Sequence, residues 1–375
     1  MTVEIKEVIT KSDINKFIRF PYKLYKDNPY WVPSLDMDEK LSLSKEKNPA
    51  FEFCEARYWL AYKEGEIVGR IGGIINHRAN ECWKENRVRF GWIDFINDES
   101  VAKALLQTVE QWGKENGCKE IHGPLGFTDM DREGMLVFGF DELGTYATIY
   151  NHAYYPEIVD KLGYQKDIDW LQFEYQVPKE EPEKLRKIAE MVAKRYNVHT
   201  LKVKNTKELK TYALEIFTLL NQSFLPLYGF APLSERQIEL FTKQYISYVN
   251  PEYISCVMSN ETNEMLGFGI TLPSLSEAVI KAKGQLFPFG WWHLLKAMKN
   301  CKVIDMYLIA IRPDWQNKGL NALMFDELMR NYIKNGVQKT IQNPVLEINN
   351  KNIDIWKDYN PRQHIRRRCY IKKIN

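Results

Sequence analysis

No single sign of charge dominates this chain. Its 52 Lys and Arg against 49 Asp and Glu leave a formal net charge of +3, too balanced to imply a nucleic-acid-binding protein. The only dense basic cluster, Arg366-Arg367-Arg368 with Lys372 and Lys373, alternates with Ile365, Cys369 and Ile371 and reads as a solvated strand face. No stretch approaches the roughly 18 apolar residues of a membrane span; the aromatic run 286–292 is much too short. The start, Met1-Thr2-Val3-Glu4-Ile5, lacks a basic head with an apolar run behind it, so no secretory leader, no membrane partner and a cytoplasmic location are expected. Six cysteines contain no Cys-x-x-Cys pair, and six histidines no His-x-x-x-His pair. Reduced thiols and no bound metal are the expectation.

What is present is a doubled layout. With 375 residues, 45% of them apolar, the chain can bury a core, and its length favours two domains. Strand 58–62 meets a turn at 63–66 and returns over 67–75 with Gly69, Gly72 and Gly73; strand 253–257 meets a turn at 259–264 and returns over 265–271 with Gly267 and Gly269. Gly69 and Gly267 are 198 residues apart, as are Asn151 and Asn349, each followed by a helical pattern. Strands are expected at 3–8, 88–96, 118–121, 170–175, 200–203, 339–348 and 365–371, and helices at 12–26, 35–43, 99–116, 181–196, 209–223 and 234–248. Mixed strands and helices in this order predict layered α/β sheets. The charged, proline-bounded stretch 178–183 is the best linker, which divides the chain into 1–178 and 179–375.

The most informative segment is Ile309-Ala310-Ile311-Arg312-Pro313-Asp314-Trp315-Gln316-Asn317-Lys318-Gly319-Leu320. An apolar strand runs through a polar turn into a helix whose apolar residues Leu320, Leu323, Met324, Leu328 and Met329 recur at helical spacing. The first turn of such a helix has unpaired N–H groups and the positive end of the dipole, so it can hold a pyrophosphate. Gly319 lets the backbone approach closely. The equivalent place in the first half has no such loop: Phe95-Ile96 runs through Asn97-Asp98 into a helix at Glu99, and carboxylates there would repel a phosphate.

Arg-Pro followed by Gln316-x-x-Gly319 after a strand resembles the acyl-coenzyme A loop of the GCN5-related N-acetyltransferase (GNAT) superfamily, with Asn321 standing where Gly or Ala is usual. The segment Val345 to Asn349, the helical pattern through Trp356 and the closing strand at Arg367 to Ile371 resemble the rest of that fold. Over nearly its whole length the chain is similar to bacterial tandem acetyltransferase-like proteins. The resemblance implies two tandem GNAT-like domains, each a twisted mixed sheet flanked by helices, the first degenerate and the second binding acetyl-CoA or another acyl-CoA as cosubstrate.

It also implies roles. Leu308, Ile309, Ala310 and Ile311 map to the strand that holds the pantetheine arm, and Gln316, Asn317, Lys318, Gly319 and Leu320 to the pyrophosphate loop. Asp305 is the candidate general base with Tyr307 as a water relay, or else a strand-end carboxylate in water. The superfamily's acid tyrosine is replaced by Trp356, leaving Tyr359 as the substitute, or as helix-end packing. Asn349 either bonds pantetheine or caps its helix. In the first half, the long segment 122–148 carries Asp129, Asp131 and Glu133, which would attract a cationic amine, and Phe127, Phe138 and Phe140, which would shield the thioester. It reads equally as a surface excursion. Three functions remain open: an N-acyltransferase acting on a small-molecule or peptide amine, a non-catalytic acyl-CoA binder, and a Fem-like transferase using aminoacyl-tRNA. The sequence leaves the oligomeric state open.

Overall fold

The computed structural model describes residues 2–374 except 245, 247, 248, 351, 352 and 354. The first half contains strands β1 (Glu4–Glu7), β2 (Cys54–Lys63), β3 (Glu66–Asn76), β4 (Arg87–Phe95), β5 (Glu120–Gly123), β6 (Met135–Phe138) and β7 (Gln165–Gln176). The second contains β8 (Val198–Thr200), β9 (Ile254–Ser259), β10 (Met265–Pro273), β11 (Val303–Ile311), β12 (Lys339–Gln342), β13 (Val345–Leu346) and β14 (Arg362–Lys373). Helices of the first half are α1 (Lys11–Leu24), α2 (Asp36–Ser42), α3 (His77–Trp83), α4 (Glu99–Glu115) and α5 (Tyr154–Lys161). Those of the second are α6 (Glu183–Tyr196), α7 (Thr206–Thr211), α8 (Ala213–Phe224), α9 (Glu235–Gln244), α10 (Ser276–Ala282), α11 (Gly290–Lys299) and α12 (Leu320–Lys334).

The strands form one 14-stranded sheet in the order β1-β2-β3-β4-β5-β14-β7-β12-β11-β10-β9-β8, with β6 on β14 and β13 on β7. The two halves exchange their last strands. β14, from the end of the chain, pairs with β5 of the first half, while β7, from the end of the first half, pairs with β12 of the second. In the middle β14 and β7 pair with each other. Neither half therefore completes its sheet from its own residues.

That exchange corrects the reading of the basic cluster as a solvated face. Arg367 is 1% exposed and donates to the Ile149 carbonyl (2.8 Å), Gln172 Oε1 (2.8 Å) and Thr148 Oγ1 (2.9 Å). Arg366 and Arg368 pair across the seam with Asp169, which is wholly buried. The charges serve the seam, where three donors of a planar guanidinium find fixed acceptors.

The doubled layout is repeated in register. Gly69 lies opposite Phe95, the last residue of β4, and Gly267 opposite Ile311, the last residue of β11. The parallel pairs Arg87–Glu120 and Val303–Lys339 likewise correspond. Each half packs a helix on its sheet: α4 buries Val101, Ala102, Leu105, Leu106 and Val109 on the first, and α12 buries Leu320, Leu323, Met324 and Leu328 on the second, at the spacing of one helical face. Gly69 lets α4 close on the sheet: a Cβ there would stand 2.8 Å from Leu105 Cδ1, 3.0 Å from Val101 Cγ1 and 3.1 Å from the Asp94 carbonyl.

Several expectations shift. The expected loop 122–148 contains β6, which pairs with β14, because Met135 and Leu136 are apolar enough to enter the core at 1% exposure each. The helix expected over 209–223 breaks into α7 and α8, and α5 starts at Tyr154, three residues after Asn151. The buried Asn151 amide instead accepts from Leu136 N (2.6 Å) and donates to the Leu136 carbonyl (3.1 Å), pinning β6. Residues 351, 352 and 354 of the helical pattern after Asn349, and 245, 247 and 248 of the helix expected at 234–248, lie outside the described residues. α3, α10 and α11 were not expected.

Candidate active site

The site is built on a local failure of strand pairing. β11 pairs with β12 only from Val303 to Met306. On its other side the register with β10 slips between Ile270 and Thr271, where Tyr307 is bulged. Beyond Met306 the strands diverge: Asn343 N donates to the Met306 carbonyl (3.0 Å), and its side-chain amide to the Tyr307 carbonyl (3.3 Å). From Leu308 to Ile311, β11 therefore has no strand on that edge among the described residues, and it lines a cavity of about 950 Å³.

The helix start lies on the same cavity. A short 3-10 turn, Pro313–Trp315, is followed by Gln316, with Asn317 (φ 61°) and Gly319 (φ 81°) in the left-handed region, where glycine alone is unstrained. Gly319 is the N-cap of α12 and provides no side-chain acceptor, so the first N–H groups of the helix are left for an outside partner. Gln316, Asn317, Gly319 and Asn321 line the cavity. Lys318 is turned away from it, its Nζ 4.2 Å from the Trp315 ring centroid. Leu320 is core, at 0% exposure, and can offer only its backbone. Arg312 is tied to Asp314 (2.7 Å) and Glu264 (3.0 Å), which fixes the turn.

The opposite wall comes from the first half. Asp129, Asp131 and Glu133 line the same cavity as Ile309 and Gly319. Burial is the main cause of their altered acidity: it pushes Asp129 up to about 7, Asp131 up to about 6 and Glu133 well above the usual carboxylate range. Asp131 accepts from Thr128 N at 2.9 Å, while Asp129 Oδ1 is buried without a hydrogen-bond partner. Arg89, on β4, donates to the carbonyls of Gly126 (3.1 Å) and Phe127 (3.2 Å) and so holds the segment against the sheet. Asp38, from α2, faces the same space and accepts from the Tyr146 hydroxyl at 2.6 Å.

Other expected residues fall elsewhere. Phe138 is 55% exposed on β6, outside the cavity wall, because β6 pairs along β14 and directs it outward; Phe127, at 1% exposure, is core. Tyr307 lines the cavity, but Asp305 does not. Asp305 is 1% exposed, neither carboxylate oxygen has a hydrogen-bond partner, and burial pushes it up to about 7. The bulge at Tyr307 breaks the alternation that would put both side chains on one face. Asn349 and Trp356 line the cavity; Tyr359 packs behind Trp356, ring centroids 5.7 Å apart, and does not line it.

Sequence reasoning missed a second polar group in the wall. Tyr228, on the turn after α8, lines the cavity, and its hydroxyl bonds Asp167 and His122 Nδ1 (3.2 Å). Cys369 Sγ lies 3.6 Å away. Donor atoms of His122, Asp167 and Cys369 lie within 4.8 Å of one another, but they come from β5, the start of β7 and β14, so only the strand exchange unites them. The Tyr228 hydroxyl already engages these groups, and Arg87 adds a positive charge 3.5 Å from Asp167. The arrangement favours a hydrogen-bond network over a cation.

In the first half the corresponding places are filled. The start of α4 is capped by Asp98, which accepts from Ser100 N (2.9 Å) and pairs with Lys63. At the end of β4, Asp94 accepts from Arg70 Nε (2.8 Å) and the Tyr25 hydroxyl (2.6 Å).

Residues 20–124 match the acetyltransferase (GNAT) family, so the family match falls on the first half. The chain is similar to protein YghO of Escherichia coli, at 28% identity over 99% of this chain and 95% of that one. It is also similar to bacterial ceramide synthase of Caulobacter vibrioides, at 28% identity over 82% and 80% of the two chains. Among solved structures, a tandem GNAT protein from the clavulanic acid biosynthesis pathway superposes with a TM-score of 0.57 at 9% identity, over 100% of this chain and 99% of that one. The chain has the tandem GNAT fold, and its residues 20–124 match the acetyltransferase family's model.

Proposed function

We propose that this tandem GNAT-fold chain is an acyl-CoA-dependent N-acyltransferase, with the thioester held by its second half and the amine admitted along the wall of its first. One observation carries the reading: the open edge of β11, the uncapped start of α12 and the carboxylates of 129–133 line one cavity. The pantetheine amides would add to β11 as a further strand. The N–H groups after Gly319 would take the pyrophosphate. A cavity of about 950 Å³ has room for an acyl chain and an acceptor, and the likeness to a protein named a ceramide synthase favours a long-chain amine, since ceramides are N-acylated amino alcohols.

The ammonium must lose a proton before its nitrogen attacks the thioester carbonyl. Asp129, raised to about 7 and with an oxygen lacking a partner, is better placed to accept that proton than Asp305, which lies outside the cavity wall. The C–N bond forms, the C–S bond breaks, and the thiolate takes a proton; of the three residues suggested by sequence, Tyr307 lines the cavity and is the candidate donor. A non-catalytic binder is the second reading, favoured by Trp356 in the wall and Tyr359 behind it.

Titration with coenzyme A and measurement of thiol release from acyl-CoA with long-chain amines separate the two. The expected outcome is binding, acyl-dependent thiol release, and at least a hundredfold weaker binding for Gly319→Glu, in which φ 81°, bulk and negative charge all oppose the ligand. Binding without thiol release across the amines supports the binder. Unchanged affinity in Gly319→Glu refutes the site.

A further inference from the structure

The segment from α10 through α11 contributes no residue to the cavity wall, yet among the described residues it concentrates exposed apolar side chains. Five of the twelve exposed large hydrophobic residues lie in it: Phe287 (79% exposed), Phe289 (73%), Trp291, Trp292 and Leu295. The other seven are spread over the chain, which is ordinary for a protein surface. Within α11 only Gly290 is buried, although the helix reads Gly-Trp-Trp-His-Leu-Leu-Lys-Ala-Met-Lys. A contiguous apolar patch of this kind marks a surface for something else.

Its chemistry selects the occupant. Lys281, Lys283, Lys296 and Lys299 flank the aromatics and are exposed. Among the described residues only Lys281 has a carboxylate at ion-pair distance, Glu277 of its own helix at 3.4 Å. Lys296 Nζ lies 5.3 Å from the Trp292 ring centroid, so cation and indole present themselves together. Tryptophan rings belong at the level of lipid headgroups, and a short helix with lysines beside aromatic and leucine side chains lies in that interface. The exposed lysines without a carboxylate partner select an anionic surface, which lipid headgroups supply.

Position gives the patch a purpose. The Gly284 carbonyl, between α10 and α11, accepts from Asp36 N at 2.9 Å. A Cβ on Gly284 would lie 1.8 Å from the Tyr22 hydroxyl and 2.6 Å from the Ser34 carbonyl. Tyr22 and Ser34 both line the cavity. The hairpin is thus seated on the rim of the cavity, on the side of the first half.

We propose that the α10–α11 hairpin is an interfacial anchor that docks the protein on an anionic lipid bilayer, with the cavity mouth at the membrane surface. No helix among the described residues is long and apolar enough to cross a membrane; the contact is by insertion of side chains into one leaflet. This replaces the expectation of no membrane partner, which rested on the absence of a span. It does not require acyl transfer, because the anchor is tested by binding alone.

The full chain is sedimented with vesicles of phosphatidylcholine, with and without about 30 mol% phosphatidylglycerol, and tryptophan emission is recorded in parallel. The protein should pellet with the anionic vesicles, with emission shifted to the blue, and should be released as salt rises from about 0.1 to about 0.5 M. Trp291→Ala with Trp292→Ala should weaken binding at least tenfold, and Lys296→Glu with Lys299→Glu should abolish the preference for anionic vesicles. Both double variants should bind coenzyme A as the native chain does, since the substituted residues lie outside the cavity wall. The proposal is overturned if the native chain pellets with neither vesicle, if the variants bind as it does, or if the tryptophan variant merely converts a dimer to a monomer in analytical ultracentrifugation.

Discussion

The helix starts at Glu99 and Leu320 occupy the same place in the two halves, each following a strand that faces a parallel neighbour. The first is capped by its own Asp98, whose carboxylate accepts from Ser100 N; the second begins at a glycine that has no side-chain acceptor. The strands before them differ in the same sense. β4 ends with Asp94 bound by Arg70 and Tyr25, while β11 ends with Ile309-Ala310-Ile311 along an open edge. The layout occurs twice, and local side chains cap the helix start of the first half while leaving that of the second uncapped. Because the halves exchange β7 and β14 they share one sheet, and the carboxylates of 129–133 line the same cavity as the open edge of β11.

The sharpest test of this comparison concerns one pair of positions. By register, Asp305 (opposite Ile341) corresponds to Arg89 (opposite His122). Arg89 is buried and satisfied by backbone carbonyls, whereas Asp305 is buried with no well-aligned hydrogen bond, Ser274 and Lys339 offsetting its burial only in part. Its carboxyl moves from 3.8 to about 7 through burial. The folded state therefore binds a proton that the unfolded chain releases, and stability is full below about pH 4 and lost as the pH rises towards 7, by up to roughly 4 kcal/mol. Asp305→Asn should remove that slope and gain most, relative to the native chain, near pH 8. Denaturant unfolding of both proteins at pH 5 and 8 measures it; parallel pH profiles would show that Asp305 is ionised and partnered in solution.

The fold was legible because it rests on local patterns: glycine-bearing returns, apolar helical faces and a repeat offset that the register reproduces at Gly69 and Gly267. The loop at Gln316–Gly319 was legible for the same reason, since turn chemistry is written in adjacent residues. The strand exchange was not, because no local feature says which β5 a terminal strand will join, and the role of Arg367 depends entirely on it. The bulge at Tyr307 was equally hidden, and it separated Asp305 from the face of Tyr307. Tyr228 and Asp38 reached the wall through tertiary packing between distant segments, with no motif around either. The aromatic run 286–292 was visible, but its exposure is set by tertiary packing and not by its length.

A smaller effect is expected where the halves meet across the cavity. If the wall of 129–133 serves the amine while the second half serves coenzyme A, the variant Asp129→Asn, Asp131→Asn, Glu133→Gln should raise the acceptor's KM by about tenfold, the scale of a focused local charge, lower kcat through loss of the proton acceptor Asp129, and leave coenzyme A affinity within about twofold. Since burial raises Asp129 to about 7 and Asp131 to about 6, the native chain should show the same rise in KM as the pH falls from 8 to 5, and the variant should not. A shift in coenzyme A affinity would place these carboxylates in the cosubstrate site and erase the division of labour.

The smallest effect tests whether the closed helix start is merely closed or has lost its capacity altogether. Asp98→Ala removes the acceptor for Ser100 N and the partner of Lys63, so the start of α4 regains free N–H groups beside a lysine. Loss of the cap should cost about 1 kcal/mol of stability. Coenzyme A should still bind at a single site, because Ile96-Asn97-Asp98 is too short a connection to wrap a pyrophosphate and carries no glycine in the left-handed conformation that Gly319 adopts. Calorimetric titration of the variant reads the stoichiometry directly. A second equivalent of bound coenzyme A would mean that one side chain separates the two halves, and that the first cleft retains the strand geometry of a binding site beneath its cap.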